Sequence, residues 1–220
     1  MDISWTTVII VILLIVVGYF IWSIVSSSSS KTSSGTTKLT TSTPLAVATS
    51  TNSFTFSTWI AIDTWGGGGN NIISTAPDAA AANVFTLKLG TTINQLNLNI
   101  GTASTFTTVG LVPLQTWVSI IVSVNSGNSV DIYINGKLVK TIALTATYTL
   151  PAGSFSVGGT GSSVGYISTT FDNKSTGPQE AWTVYSSGFG GGGGVADFFS
   201  KYKIRFAFVK DNVELSRLDI

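Results

Sequence analysis

The sequence predicts an all-β chain, an antiparallel jelly-roll sandwich behind a single N-terminal transmembrane helix. Three observations carry this. Short apolar/polar alternations with a two-residue period recur along most of the chain, as in strands with one buried face. Gly, Asn and Pro punctuate them at hairpin spacing, which marks a sandwich or jelly roll. The first 25 residues instead hold one long apolar run.

That run extends from Ile3 through Ile12 to Val25. As a helix it would be about 34 Å long, enough for a hydrocarbon core of about 30 Å. Trp5 stands near one end and Tyr19 and Trp22 near the other, as interfacial aromatics do. A cleaved leader fits less well, because no Lys or Arg precedes the run and no clear small-x-small site follows. Residues 1–25 are therefore expected to anchor the chain in a lipid bilayer. Asp2 before the run and Lys31 and Lys38 after it favour a cytosolic C-terminal domain.

Residues 26–52 are mostly Ser and Thr and read as a linker or stalk, too poor in apolar side chains to fold alone. Residues 53–220 read as the globular unit. Phe54, Phe56, Trp59, Ile60 and Ile62 give a first strand, and Gly66 to Gly69 a loop. Ile72–Ser74 is a short strand, and residues 78–83 an alanine-rich loop or single helical turn. Phe85–Leu89, Leu96–Ile100 and Thr105–Val109 alternate as strands. The clearest stretch is Trp117 to Thr141. Val118, Ile120, Val122 and Val124 alternate with Ser119, Ile121 and Ser123, and a polar turn surrounds Gly127. Val130, Ile132 and Ile134 follow, and Asn135-Gly136 predicts a type I′ hairpin into Leu138–Ile142. Phe155–Gly159 and Val164–Ser168 are further strands. Pro178 to Tyr185 predicts the one helix of the globular unit, with Pro in the first turn, Glu180 near the positive helix end and Gly188 to stop it. Phe198-Phe199 is placed on another helical turn. Lys203–Lys210 is expected to close the sandwich, with Ile204, Phe206 and Phe208 alternating.

The Trp-led strand and the run V-D-I-Y-I-N-G-K-L-V from Val130 to Val139 resemble the middle of a concanavalin A-like lectin/glucanase domain in its laminin G-like form. P-A-G-S-F-S-V-G-G and G-Y-I-S continue the likeness. The resemblance implies a two-sheet jelly roll used for binding and adhesion. The ending from Pro178 (P-Q-E-A-W-T-V-Y) to Glu214 is similar to such domains encoded by large DNA viruses of algae and protists. It implies a minor capsid protein seated in the virion's internal membrane, under the shell, with capsid proteins as partners. The alternative is a membrane-anchored glycan-binding or adhesion protein.

Composition removes several chemistries. With no Cys and no His, thiol nucleophiles, Cys/His zinc sites and His-dependent triads are excluded. Charged residues are 10% of the chain and the net charge is +1, so no basic face invites nucleic acid. A glycosidase of this fold needs paired carboxylates. The two glutamates, Glu180 and Glu214, are 34 positions apart, so no catalytic residue and no enzymatic activity are expected. No cofactor is expected either. Calcium would suit the loop oxygens of Asp78, Asp172 and Asn173 if it bound at all, although no D-x-D-x-N pattern joins them and solvated loop residues are the ordinary reading. Trp65, Tyr166 and Asn173 combine aromatic faces with an amide as glycan-binding candidates, against the ordinary reading of sandwich aromatics as core. The glycine runs lack the G-K-[ST] of a phosphate loop.

Overall fold

A computed structural model describes residues 31–75, 84–101 and 106–190, together with Ile15, Tyr19 and the backbone of 205–210 and 213–219. Two six-stranded antiparallel sheets face one another. The first holds β1 (Thr32–Lys38), β12 (Val164–Asp172), β3 (Phe54–Thr64), β8 (Trp117–Asn125), β9 (Ser129–Ile134) and β10 (Lys137–Ala143), in that spatial order. The second runs β2 (Thr43–Val47), β11 (Gly153–Val157), β4 (Asn71–Ser74), β5 (Phe85–Leu89), β6 (Gln95–Ile100) and β7 (Thr107–Leu111). This is the all-β sandwich expected, with strand crossovers consistent with a jelly roll.

Alternation sets which side chains meet between the sheets. Phe54, Phe56, Thr58, Ile60 and Ile62 of β3 point inward, as do Val118, Ile120, Val122 and Val124 of β8. Phe56 lies 5.0 Å from Phe85, 5.3 Å from Phe171 and 5.6 Å from Phe155, ring centre to ring centre. The one hydroxyl pair in this layer, Thr58 and Thr169, is satisfied within itself at 3.0 Å. The Asn135-Gly136 turn has φ of +50° and +73°, the positive pair a type I′ turn demands.

The Ser/Thr-rich stretch is corrected. It contributes β1 and β2, so the sandwich starts at Thr32, not Ser53, and both new strands lie at sheet edges. An edge strand needs only one paired neighbour, and β-branched Thr suits a half-solvated strand. Leu39, Leu45 and Val47 supply the apolar anchor and are fully buried. The strand near the C-terminus is also corrected. β13 (Arg205–Lys210) pairs with β14 (Val213–Asp219) in a two-stranded sheet of its own and joins neither sandwich sheet.

The glycine loop after β3 is held firmly. A Cβ on Gly66 would sit 2.2 Å from the Ser162 carbonyl oxygen, so the two backbones touch. Asn70, fully buried, accepts from Ser163 N–H at 3.0 Å and donates to the Ser163 carbonyl at 3.1 Å.

Among the described residues no helix is long and apolar enough to cross a membrane. The expected spanning segment, from Ile3 through Ile12 to Val25, lies outside them apart from Ile15 and Tyr19. So do Asp78, the 78–83 stretch and Phe198-Phe199.

Candidate functional site: a groove beside the helix

The helix α1 (Pro178–Ser186) forms as its sequence requires. Pro178 occupies the first turn, and Glu180 Oε2 accepts from the Gly177 N–H at 3.3 Å. Gly188, at φ +76°, ends it. Ala181 and Val184 pack on Ile121 and Tyr133. The outer face of β8 and β9 therefore becomes a second, small core, and this is why Ser119, Ile121 and Ser123 are buried although they face away from the sandwich. Ser123 Oγ accepts from Thr176 N–H at 2.8 Å, and Asn135 Oδ1 from Ser119 N–H at 3.0 Å, which gives both of those backbone donors a partner.

The helix covers only half of that face. Over β1, β12 and β3 it leaves a groove. The register places Thr36, Ser168 and Trp59 in one row across the three strands, and Thr170 and Ser57 in the next. These side chains form the floor. Thr183, Val184, Ser187 and Phe189 form the wall. The wider part, beside Trp59 and Phe189, holds about 460 Å³. A narrower continuation of about 210 Å³ runs toward Thr55, Asp172, Lys174 and Glu180. The combined lining is rich in hydroxyls, with one indole on the floor and one phenyl on the wall. Lys174 and Glu180 stand 3.9 Å apart at the narrow end, both half-exposed, so this pair adds no net charge.

The aromatic groups are ordered against each other. Trp59 stacks on Tyr185 of the helix at 6.3 Å and 17°. Phe189 stacks on Trp117 at 3.7 Å and 9°, and meets Trp59 edge-on at 6.2 Å. Trp59 and Trp117 are diagonal neighbours on adjacent strands, since Ala61 is the register partner of Trp117.

The sequence-derived candidates disperse. Tyr166 lies on the outer face, one row beyond Ser168 and Trp59, and is half-exposed. Asp172 lines the narrow end and is buried. Asn173 is exposed just past β12, at the opposite end from Tyr166, and its Nδ2 donates to Thr49 Oγ1 at 3.5 Å. Trp65 packs against the core at the other tip. The structure thus does not bring Trp65, Tyr166 and Asn173 together: seven strand positions separate the last two, about 23 Å. Among the described residues no three acidic side chains gather as a cation site. Trp59 was readable from sequence, because placing Phe54, Phe56, Ile60 and Ile62 inward sends it outward with Thr55 and Ser57. Phe189 was not, for its partner is distant in the chain.

A model of the concanavalin A-like lectin/glucanases superfamily matches residues 33–174. No curated protein matches by sequence. Solved structures do match in fold. The botulinum neurotoxin serotype G binding domain aligns at TM-score 0.55 and 12% identity, over 69% of this chain and 42% of that one. The binding domain of Paraclostridial Mosquitocidal Protein 1 aligns at 0.54 and 13%, over 70% and 44%. A botulinum neurotoxin type C structure, from a protein whose cell entry depends on interaction with two ganglioside molecules, aligns at 0.51 and 15%, over 71% and 42%. The chain spans less than half the length of these structures.

Proposed function

Because the chain belongs to the concanavalin A-like lectin/glucanase superfamily, we propose that it is a non-enzymatic binding module that takes a short oligosaccharide in the groove beside α1. The observation that carries this is Trp59 set among Thr36, Ser57, Ser168 and Thr170 on the groove floor. An indole offers a flat apolar surface for the CH face of a sugar ring. Hydroxyls on either side exchange hydrogen bonds with its OH groups, and among the described residues the wider part carries one charged side chain, Lys31. The floor from Trp59 to Thr55 is about 13 Å long, room for more than one ring. Likeness to toxin binding domains, one from a toxin that enters cells through gangliosides, supports a carbohydrate ligand. Glu180 is engaged with Lys174 at the helix start and lies far in sequence from Glu214, the one other glutamate of the chain.

In this reading Ile3 to Val25 holds the module on a bilayer as a single-pass anchor. A second reading rests on the C-terminal pattern from Pro178 to Glu214: a virion protein in an internal membrane, tied to capsid proteins by the sandwich. Screening the full chain, in detergent micelles, on a glycan array tests the first reading. A saccharide bound by the wild type and weakened about tenfold or more by Trp59→Ala is expected. Absence of any glycan binding, with the domain shielded from protease in intact particles and freed with the capsid, would move the assignment to the second.

A further inference from the structure

Phe189 stands outside α1, between two glycines, and its ring lies flat on Trp117 at 3.7 Å. This is the position that the apolar face of a ligand ring would take on that indole. The ring is still 37% exposed and lines the groove. Gly188 and Gly190 hold φ of +76° and +75°, and no atom of the described residues lies within 4 Å of a Cβ placed on either. The Gly188 N–H is tied to the Tyr185 carbonyl at 3.0 Å, but no described side chain wedges against either glycine, and glycine alone makes these left-handed turns inexpensive.

We propose that Phe189 is a displaceable cover on an aromatic subsite, and that a saccharide entering the groove turns it aside and stacks on Trp117 beside Trp59. This rests on the groove being the glycan site. The exchange is balanced: one ring leaves the indole face and another arrives. While Phe189 lies on Trp117 the subsite is closed, and apparent affinity is reduced by the closed fraction. A face-to-face aromatic stack of this kind holds the closed form by a factor of about two to ten. Phe189 is thus both a wall of the groove and a threshold that selects ligands able to replace it.

The test uses the full chain in detergent micelles, labelled with 5-fluorotryptophan. Its six tryptophans give six ¹⁹F resonances, assigned by Trp→Phe variants. Cellotriose, maltotriose and chitotriose are titrated by calorimetry and ¹⁹F NMR into wild type, Phe189→Ala and Gly190→Ala. The last keeps the ring but strains the closed backbone. Expected is a shift of the Trp117 resonance on saturation, with both variants binding about two- to tenfold more tightly. Binding by the variants alone also supports the cover. A wild type that binds with Trp117 unmoved, or variants that bind no tighter, overturns the cover and leaves the glycan reading standing. If no trisaccharide binds any of the three proteins, although Phe189→Ala shifts the free Trp117 resonance, both ideas fall. Should Phe189→Ala disturb resonances beyond those of Trp117 and Trp59, both of which its ring touches, Gly190→Ala decides.

Discussion

Replacing Tyr133 with phenylalanine should stabilise this protein. Tyr133 sits on the outer face of β9, 1% exposed, with its ring packed on Ile121, Ala181 and Val184 under the helix. Its hydroxyl has no hydrogen-bond partner among the described residues. A buried hydroxyl without a partner costs about 1–3 kcal/mol of desolvation, and Tyr133→Phe removes it while keeping the ring. The low end of that range, about 1 kcal/mol, corresponds to a rise in Tm of about 2–4 °C for a domain of this size. The gain should grow at high pH. Burial first, and the negative charge of Asp131 second, hold the Tyr133 phenol above its ordinary value near 10. The folded state then keeps a proton that the unfolded chain releases, so stability is intact below pH of about 10 and falls as pH rises beyond it. Each such group contributes a slope of up to about 1.4 kcal/mol per pH unit. Tyr148, raised likewise by burial, keeps its share in the variant. Urea unfolding at pH 7.5 and 10.5 therefore should show Tyr133→Phe more stable at both, with the wider gap at 10.5. A variant less stable than wild type by more than about 0.5 kcal/mol at pH 7.5 would refute the reasoning, because it would mean the hydroxyl is bonded.

Gly136→Ala should cost about 1–3 kcal/mol, since the new Cβ keeps φ +73° and meets the Trp182 ring at 2.9 Å and Tyr185 at 3.1 Å. A red shift of Trp182 emission alongside the urea midpoint would report the helix lifting from the turn. Asn70→Ala should cost about 2–4 kcal/mol by stranding the Ser163 N–H and carbonyl, read by the same melts. Deleting residues 1–31 should leave a cooperatively folded sandwich, whereas deleting 1–52 strips β1 and β2 from the two sheets and should abolish the near-UV circular dichroism of the folded core. An intact spectrum after the longer deletion would mean the edge strands are dispensable.

The centre of the fold was legible because its signals are local. The Trp117 to Thr141 meander needed only alternation and one Asn-Gly turn, and α1 only Pro178, Glu180 and Gly188. The edge strands were hidden by composition: β1 is T-S-S-G-T-T-K, without one apolar side chain. β2 carries only a slight signal, the alternation of Leu45 and Val47 inside T-P-L-A-V, and the linker reading passed over it. Contacts between distant segments carry no local pattern. Asn70 with Ser163 and Trp117 with Phe189 are of this kind, so the locked glycine loop and the wall of the groove emerged only from the structure.

A row of Ser and Thr on the outside of a sheet does not by itself indicate a site. These residues form strands readily and tolerate water, so Thr36, Ser57, Ser168 and Thr170 are what an uncovered face would carry without any ligand. What distinguishes this face is its asymmetry. Over β8 and β9 the same face is roofed by α1 and turned into core, with the Ser119 and Thr176 N–H groups given side-chain partners. Over β1, β12 and β3 no described residue continues the roof, yet Trp59 remains there partly exposed beside Phe189. Solvent contact for two large rings has a free-energy cost that a longer helix could have removed. An unroofed floor that keeps its aromatic rings, in a family built on this sandwich, is the feature that argues for a ligand rather than for an ordinary solvated surface.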